Sequence, residues 1–341
     1  MLDILMQYGL FLAEAITIVI AIGIVISMIV GATHKERSIE KLEIRNINSK
    51  YETMAEVLRR ETFSKKALKQ WEKSEKEKKK KKAKQQANTA GDTQKRVFIL
   101  NFDGDIKASA GAALREEITT VLSLATPKDE IVVRLESGGG LVHEHGFAAS
   151  QLMRIRQREI PLTVTVDKVA ASGGYMMACV ANHIIAAPFA IIGSIGVLAQ
   201  LPNFHRLLDR HGIDFEQIKA GDFKRTVTFF GKNTEKDREK LKEEIEETHE
   251  LFKAFIVENR ADVDIAKVST GEHWYGTRAL ELKLIDELMT SDDYLLSASE
   301  KADLYEVSYT AKKSVSERIA AAMQASLERL VLSFRNELFY R

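Results

Sequence analysis

The chain has 341 residues, 45% of them apolar and 29% charged, values that exclude a disordered protein, a collagen-like fibre and a chain that is mostly membrane. Fifty Lys and Arg against 49 Asp and Glu leave a net charge of +1, which argues against nucleic acid as the main partner. One cysteine, Cys179, excludes an intrachain disulfide framework and a Cys-rich zinc site.

Charge is sharply segregated along the chain. From Ala15 to Thr33 no residue carries a formal charge, and a helix of that length reaches about 28 Å, close to a bilayer's hydrocarbon core. The start carries Asp3, and the first basic side chain is Lys35, so the basic opening of a cleaved signal peptide is missing. Residues 1–33 are therefore expected to be an uncleaved transmembrane anchor. Lys35, Arg37, Lys41 and Arg45 follow it, and by the positive-inside rule they place the bulk of the chain on the cytoplasmic side, the periplasmic side being the alternative. Residues 34–94 are polar and helix-prone, with a weak apolar stripe through Leu42, Ile44, Ile47, Tyr51, Met54, Val57 and Leu58. Their nearly all-lysine tract, Lys73 to Lys84, suits either a solvated spacer or attraction to anionic lipid. Gln85 to Gln94 closes this region as a linker.

Strands and helices then alternate, the pattern of parallel α/β layers. Strands are expected at 97–102, 131–135, 162–166 and 183–187, and helices at 112–125, 144–158 and 174–181. Ile184 to Leu201 is a second uncharged run, but Pro188, Gly193, Ser194 and Gly196 interrupt it, which favours a buried strand–turn–strand over a membrane span. Thr234-x-x-Asp237 has the form of a capping box for a long charged helix whose one face, lined by Leu241, Ile245, Thr248, Phe252 and Ile256, is expected to pack. Near the end, Val315, Ile319, Met323, Leu327, Leu330, Phe334 and Leu338 recur at helical spacing and predict an amphipathic helix in a C-terminal segment, 296–341.

Two glycine-rich turns could carry chemistry. Ser137-Gly138-Gly139-Gly140 follows a buried strand, but lacks both the Lys-Ser/Thr of a P-loop and the dinucleotide spacing. It suits a tight turn or an oxyanion hole. In Ala171-Ser172-Gly173-Gly174-Tyr175 a serine opens a helix, with two glycines stripping bulk from beside it. Such a serine is either an N-cap or an exposed nucleophile in need of a base. His143 and His145 lie near the first glycine turn and His183, His205 and His211 are scattered, while His143-Glu144-His145 lacks the i, i+4 spacing of a zinc protease helix. Lys168, Lys219, Lys224 and Lys232 are alternative bases, among which physics alone does not choose.

Four motifs in order resolve the choice by resemblance. Ser137–Gly140, Ala171–Tyr175, Gly193-Ser194-Ile195-Gly196 and Ala220-Gly221-Asp222-Phe223-Lys224 resemble the signal peptide peptidase A family of Ser/Lys serine proteases. The anchor, the lysine-rich segment, Thr163–Asp167 and Gly271–Gly276 are similar to an inner-membrane member of that family. The resemblance implies an α/β fold like the Clp protease and crotonase spiral of ββα units, with the protease domain over 95–295. It implies Ser172 as nucleophile, Lys224 as general base, Ser194 orienting the lysine, and the N–H groups of Gly139 and Gly173 as oxyanion hole. It implies neither metal nor organic cofactor, an extended groove bordered by Leu135–Gly140 and the strand near Leu162, peptide or protein substrates, and a ring-like homo-oligomer. The family usually has proline where this chain has Gly138, so the turn should be less pre-organised and catalysis reduced. The readings of another class are a non-catalytic oligomeric membrane scaffold and a crotonase-type acyl-CoA enzyme.

Overall fold

The computed structural model describes residues 41–88 and 95–310. The expected anchor, the end of the linker and the C-terminal amphipathic helix lie outside the described residues. The chain divides into two compact units: residues 43–308, and residues 1–42 together with 309–341. The first is described below.

Its centre is a parallel sheet. β2 (Arg96–Gly104), β3 (Glu130–Ser137), β4 (Leu162–Val166) and β6 (His183–Ala186) lie side by side in sequence order. The intervening helices are α3 (Gly111–Leu122) and α4 (Val142–Arg156). Buried parallel strands favour unbroken apolar runs, and Val97–Leu100 and Ile131–Val133 supply them. Alternation sends Phe98, Leu100, Phe102, Ile131, Val133, Leu135, Leu162, Val164 and Val166 into one core with Leu114, Ile118, Leu152 and Ile155 of the helices.

The sheet extends beyond the expected domain at both ends. β10 (Asp303–Thr310) pairs in parallel with β2, Leu304 opposite Val97, and β1 (Lys41–Asn46) lies beyond it. α1 (Ile47–Thr62), expected in the spacer, buries Ile47 with Val97, Ile99, Val132, Leu295 and Leu304 on the sheet's other face. Asn48 fastens it by donating to the carbonyls of Ser299 and Ala302 and accepting from the N–H of Leu304. α2 (Lys65–Asn88) carries the lysine tract. β9 (Glu287–Leu288) extends the opposite edge next to β6, followed by α10 (Ser291–Ser299).

Three short strands form a branch at the carboxyl ends. β5 (Val169–Ala171) pairs with β3 and with β7 (Ile191–Gly193), and β7 pairs antiparallel with β8 (His273–Tyr275). α5 (Gly173–Ala178) starts directly after β5. The second uncharged run is thus two buried strands, β6 and β7, and no helix among the described residues is long and apolar enough to cross a membrane. Residues 194–233 are irregular apart from α6 (His205–Arg210). α7 (Glu235–Asn259) begins with the capping box: Thr234 Oγ1 accepts from the Asp237 N–H, and the Asp237 carboxylate accepts from the Thr234 N–H. Only its far half reaches the core, through Phe252 and Ile256. The short helices α8 (Ile265–Val268) and α9 (Gly276–Glu281) complete the unit.

The start of β2 is locked by a bidentate pair. Arg96 Nε and Nη2 donate to Asp129 at 2.9 and 2.7 Å, and Thr126 donates to the same carboxylate through its N–H and hydroxyl. Burial opposes the charge, but these donors win and hold Asp129 at about 2, below the ordinary carboxylate range. A depressed folded pKa contributes stability above the unfolded value, and that contribution is lost as pH falls through the folded one. Arg96→Gln is therefore expected to move the acid-unfolding midpoint to higher pH. Circular dichroism against pH on both proteins measures it, and coincident curves would remove the pair from the stability of the sheet.

Candidate active site

The two glycine turns meet at the carboxyl ends of β3 and β5. Gly139 has φ +84°, a left-handed conformation that an L side chain rarely adopts. A Cβ there would lie 2.7 Å from the carbonyl oxygen of Ala171, and 2.8 Å from both Gly173 N and Ser172 Cβ. Glycine at 139 is thus required both by its conformation and by the contact between the turns.

Ser172 itself is strained, at φ 53° and ψ −118°. The N-cap alternative does not hold, because its side chain makes no capping hydrogen bond. Its backbone carries the load instead: the Ser172 N–H donates to Gly193 O at 2.7 Å, and its carbonyl accepts from Met176 N. These bonds hold the serine between β7 and α5 with its hydroxyl unengaged among the described residues. Ser172 lines a small cleft with Gly140, Val142, Met176, Val197 and Phe252.

Gly173 is buried, and no described group accepts its N–H. The Gly139 N–H donates to Ser137 Oγ over 3.2 Å. Behind them stands a histidine that the sequence placed near the glycine turn without choosing a role for it. His145 is fully buried, its Nδ1 3.2 Å from Leu141 O and its Nε2 3.1 Å from Ser137 Oγ. A carbonyl only accepts, so Nδ1 carries the hydrogen and Nε2 accepts from the Ser137 hydroxyl. The ring also packs on Gly173, where a Cβ would meet His145 Cγ at 2.5 Å. The signal was its spacing: His145 shares the inner face of α4 with Ala148, Ala149 and Leu152. His143, by contrast, is exposed beside Glu144, and His183 pairs with Glu287 at 3.1 Å.

Ser194 follows the Gly193 carbonyl that takes the Ser172 N–H. It too has positive φ, 51°, and is held by Gly271–Gly276: its N–H donates to Glu272 O at 2.8 Å, and its Oγ lies 3.5 Å from Gly271 O. Lys224 is elsewhere. It is exposed on the irregular 194–233 stretch, lies outside the cleft lining, and makes no side-chain hydrogen bond to Ser172 or Ser194. Of the other lysines, Lys168 bonds Glu136 at 2.9 and 3.0 Å, which raises its pKa, and Lys219 donates to Arg225 O. The structure thus brings together Ser172, Gly139, Gly173 and the backbone before Ser194, and gives Lys224 no hydrogen bond to them among the described residues.

The expected groove needs correction on one side. Leu162 lies in an interior strand, bonded to β3 on one edge and to β6 on the other, so it offers no free edge to a peptide. The Gly138–Gly140 turn remains as the open border.

Comparison with known proteins identifies the family. Residues 3–152 match Peptidase family S49 N-terminal, and residues 154–305 match Peptidase family S49. The chain belongs to peptidase family S49. It is 48% identical to the "Probable protease SohB" of Haemophilus influenzae, over 95% of this chain and 94% of that protein. It is 52% identical to the protein of that name from Buchnera aphidicola subsp. Acyrthosiphon pisum, over 73% of each. A "Putative protease slr0021" of Synechocystis is 30% identical over 59% of this chain and 72% of its own length. The family agrees with the resemblance carried by the four motifs and makes the chain a peptidase, and the mixed α/β sheet is consistent with a Clp/crotonase-like fold.

Two substitutions separate the glycines of this turn. Gly139→Ala is expected to cost about 1–3 kcal/mol and to abolish activity, because both its conformation and the contact with Ser172 are lost. Gly138→Pro should keep the fold and retain hydrolysis, since a Cβ at 138 meets nothing within 4 Å. Thermal melts with a peptidase assay decide. A stable, active Gly139→Ala, or a folded but dead Gly138→Pro, would contradict this account of the turn.

Proposed function

We propose that the chain is a membrane-anchored serine endopeptidase that cuts peptide bonds through an acyl-enzyme on Ser172. The observation that carries this is the strained, uncapped Ser172 beside the unpartnered Gly173 N–H and the Gly139 turn. Ser172 Oγ attacks the scissile carbonyl, and its proton passes to the neutral amine of Lys224. The carbonyl oxygen, now negative, is held by the N–H groups of Gly173 and Gly139, the latter turning from Ser137 Oγ. Lys224 then protonates the leaving amine, and water releases the acyl group by the same route. Ser194 orients the lysine.

Lys224 neither lines the cleft nor bonds Ser172 or Ser194 within one chain, which supports a base supplied by a neighbouring copy. The stretch that carries it supports this. Leu198, Ile213, Ile218 and Phe223 are exposed, and Phe204, Phe215, Phe229 and Phe230 form a half-open aromatic group. A monomeric soluble domain seldom leaves such a patch uncovered. A homo-oligomer covers it and delivers each lysine to the next serine. The uncharged 15–33 run anchors the assembly in the bacterial inner membrane, and the basic residues after it put the protease on the cytoplasmic side. Unfolded or membrane-derived peptides suit the open border at Gly138–Gly140.

Fluorophosphonate labelling tests the nucleophile. The detergent-solubilised protein should take the label on Ser172, and Ser172→Ala should take none. A folded, assembled protein that never labels would make the scaffold reading the better one. Arginine stays protonated and cannot accept the proton, so in Lys224→Arg turnover should fall to background. Normal turnover in that variant would show that another group is the base.

A further inference from the structure

The face of the sheet that carries Ile47 and Val132 changes character towards the strand ends. Asn101, Arg134 and Thr165 stand opposite one another across β2, β3 and β4, and Asp103 and Glu136 form the next pair. With Asp167 and Asp292 they line a cavity of about 280 Å³. Four of its lining side chains are carboxylates. The single cationic one, Arg134, is already spent on Glu306 and Asn101 at 2.6 Å each.

Some of this acidity has a local use. Asp167 accepts from the N–H and hydroxyl of Ser291, Asp292 sits in the first turn of α10, and Glu136 holds Lys168. Asp103 has no such duty and makes neither hydrogen bond nor ion pair among the described residues. Thr165 is the sharper anomaly. It is 1% exposed, and its hydroxyl has no partner. Two residues away on the same face, the Thr163 hydroxyl donates to Glu130 at 2.8 Å. An unmet buried hydroxyl is costly, and it lies in the wall of a cavity whose free groups are acceptors.

We propose that this cavity is a docking site for the guanidinium or ammonium group of an arginine or lysine side chain on a peptide. The cation's N–H groups would donate to Asp103, Asp292 and the Thr165 hydroxyl. Lys168 gives the precedent: its ammonium is held by Glu136, with Asp103 and Asp167 adding attraction. The inference rests on the reading of the chain as a peptidase for its ligand class, and it deepens that reading. Glu136 lies three residues before Gly139, a reach of at most about 11 Å. An extended peptide with its scissile bond at Ser172 would therefore place a basic side chain here from about three or four residues away.

The test uses the full-length Ser172→Ala protein, so that peptide is bound and not consumed. Fluorescent alanine heptapeptides carry one arginine at successive positions, and each has a twin with neutral, isosteric citrulline. In fluorescence anisotropy the arginine peptide should bind about tenfold tighter than its twin at one or two adjacent positions. Asp103→Asn with Asp292→Asn should erase that preference, and isosteric Thr165→Val should reduce it. Equal binding of the twins at every position, or a preference that survives the double variant in a protein with unchanged circular dichroism, overturns the site. An arginine preference in the Ser172→Ala protein, together with an unsubstituted protein that is folded and assembled yet never labels with fluorophosphonate, keeps the site and loses the hydrolytic reading.

Discussion

The structure turns on the contact between two backbones. The turn at Gly139 presses against Ala171–Gly173 at a distance that no side chain tolerates, and the bond from Ser172 N–H to Gly193 O pulls the serine from the other side. Three strands, β3, β5 and β7, are thereby joined at their carboxyl ends, and the strained conformation of Ser172 is the result. Strain of this kind, of order 1–3 kcal/mol per residue, persists only where surroundings over-determine it. Here the determinants are a packed parallel sheet on one side and the Ser137–His145 pair on the other. The histidine fills the space behind the glycines and fixes the Ser137 hydroxyl, which in turn accepts from the Gly139 N–H.

Much of the sheet could be read from the chain because its strands are long and apolar. β2, β3, β4 and β6 were expected almost where they stand, as were α3, α4 and α7 with its cap. β7 was foreshadowed by the strand–turn–strand reading of 184–201, but β5 and β8, three residues each, and β9, of two, are too short to show any period, and they exist only because neighbours offer them an edge. β10 was missed for another reason: Asp303–Thr310 carries polar and charged residues, and its central place is set by long-range pairing with β2. α1 was taken for spacer because a single buried residue, Ile47, marks its inner side.

The site divides in the same way. The turns that carry Ser172, Gly139 and Gly173 were legible as local glycine motifs, while the roles of these residues came from the resemblance. The relation of Lys224 to them is not local, and no spacing along one chain encodes it. His145 was visible as a residue but not as a partner, since the loop from Ser137 to Leu141 must fold before the two meet. The groove was misplaced at Leu162 because an apolar strand shows its burial in the sequence but not which of its edges are taken.

The position of β10 bears on how the protein is made. β2 lies between β3 and a strand some 200 residues downstream, so at about 5–20 residues per second β2 leaves the ribosome 10–40 seconds before the partner that covers its second edge. Throughout that interval an apolar strand, Val97–Leu100, has one side open to any other extended segment. Synthesis thus exposes a bare edge that the finished protein hides, and truncation anywhere before Asp303 would make that exposure permanent.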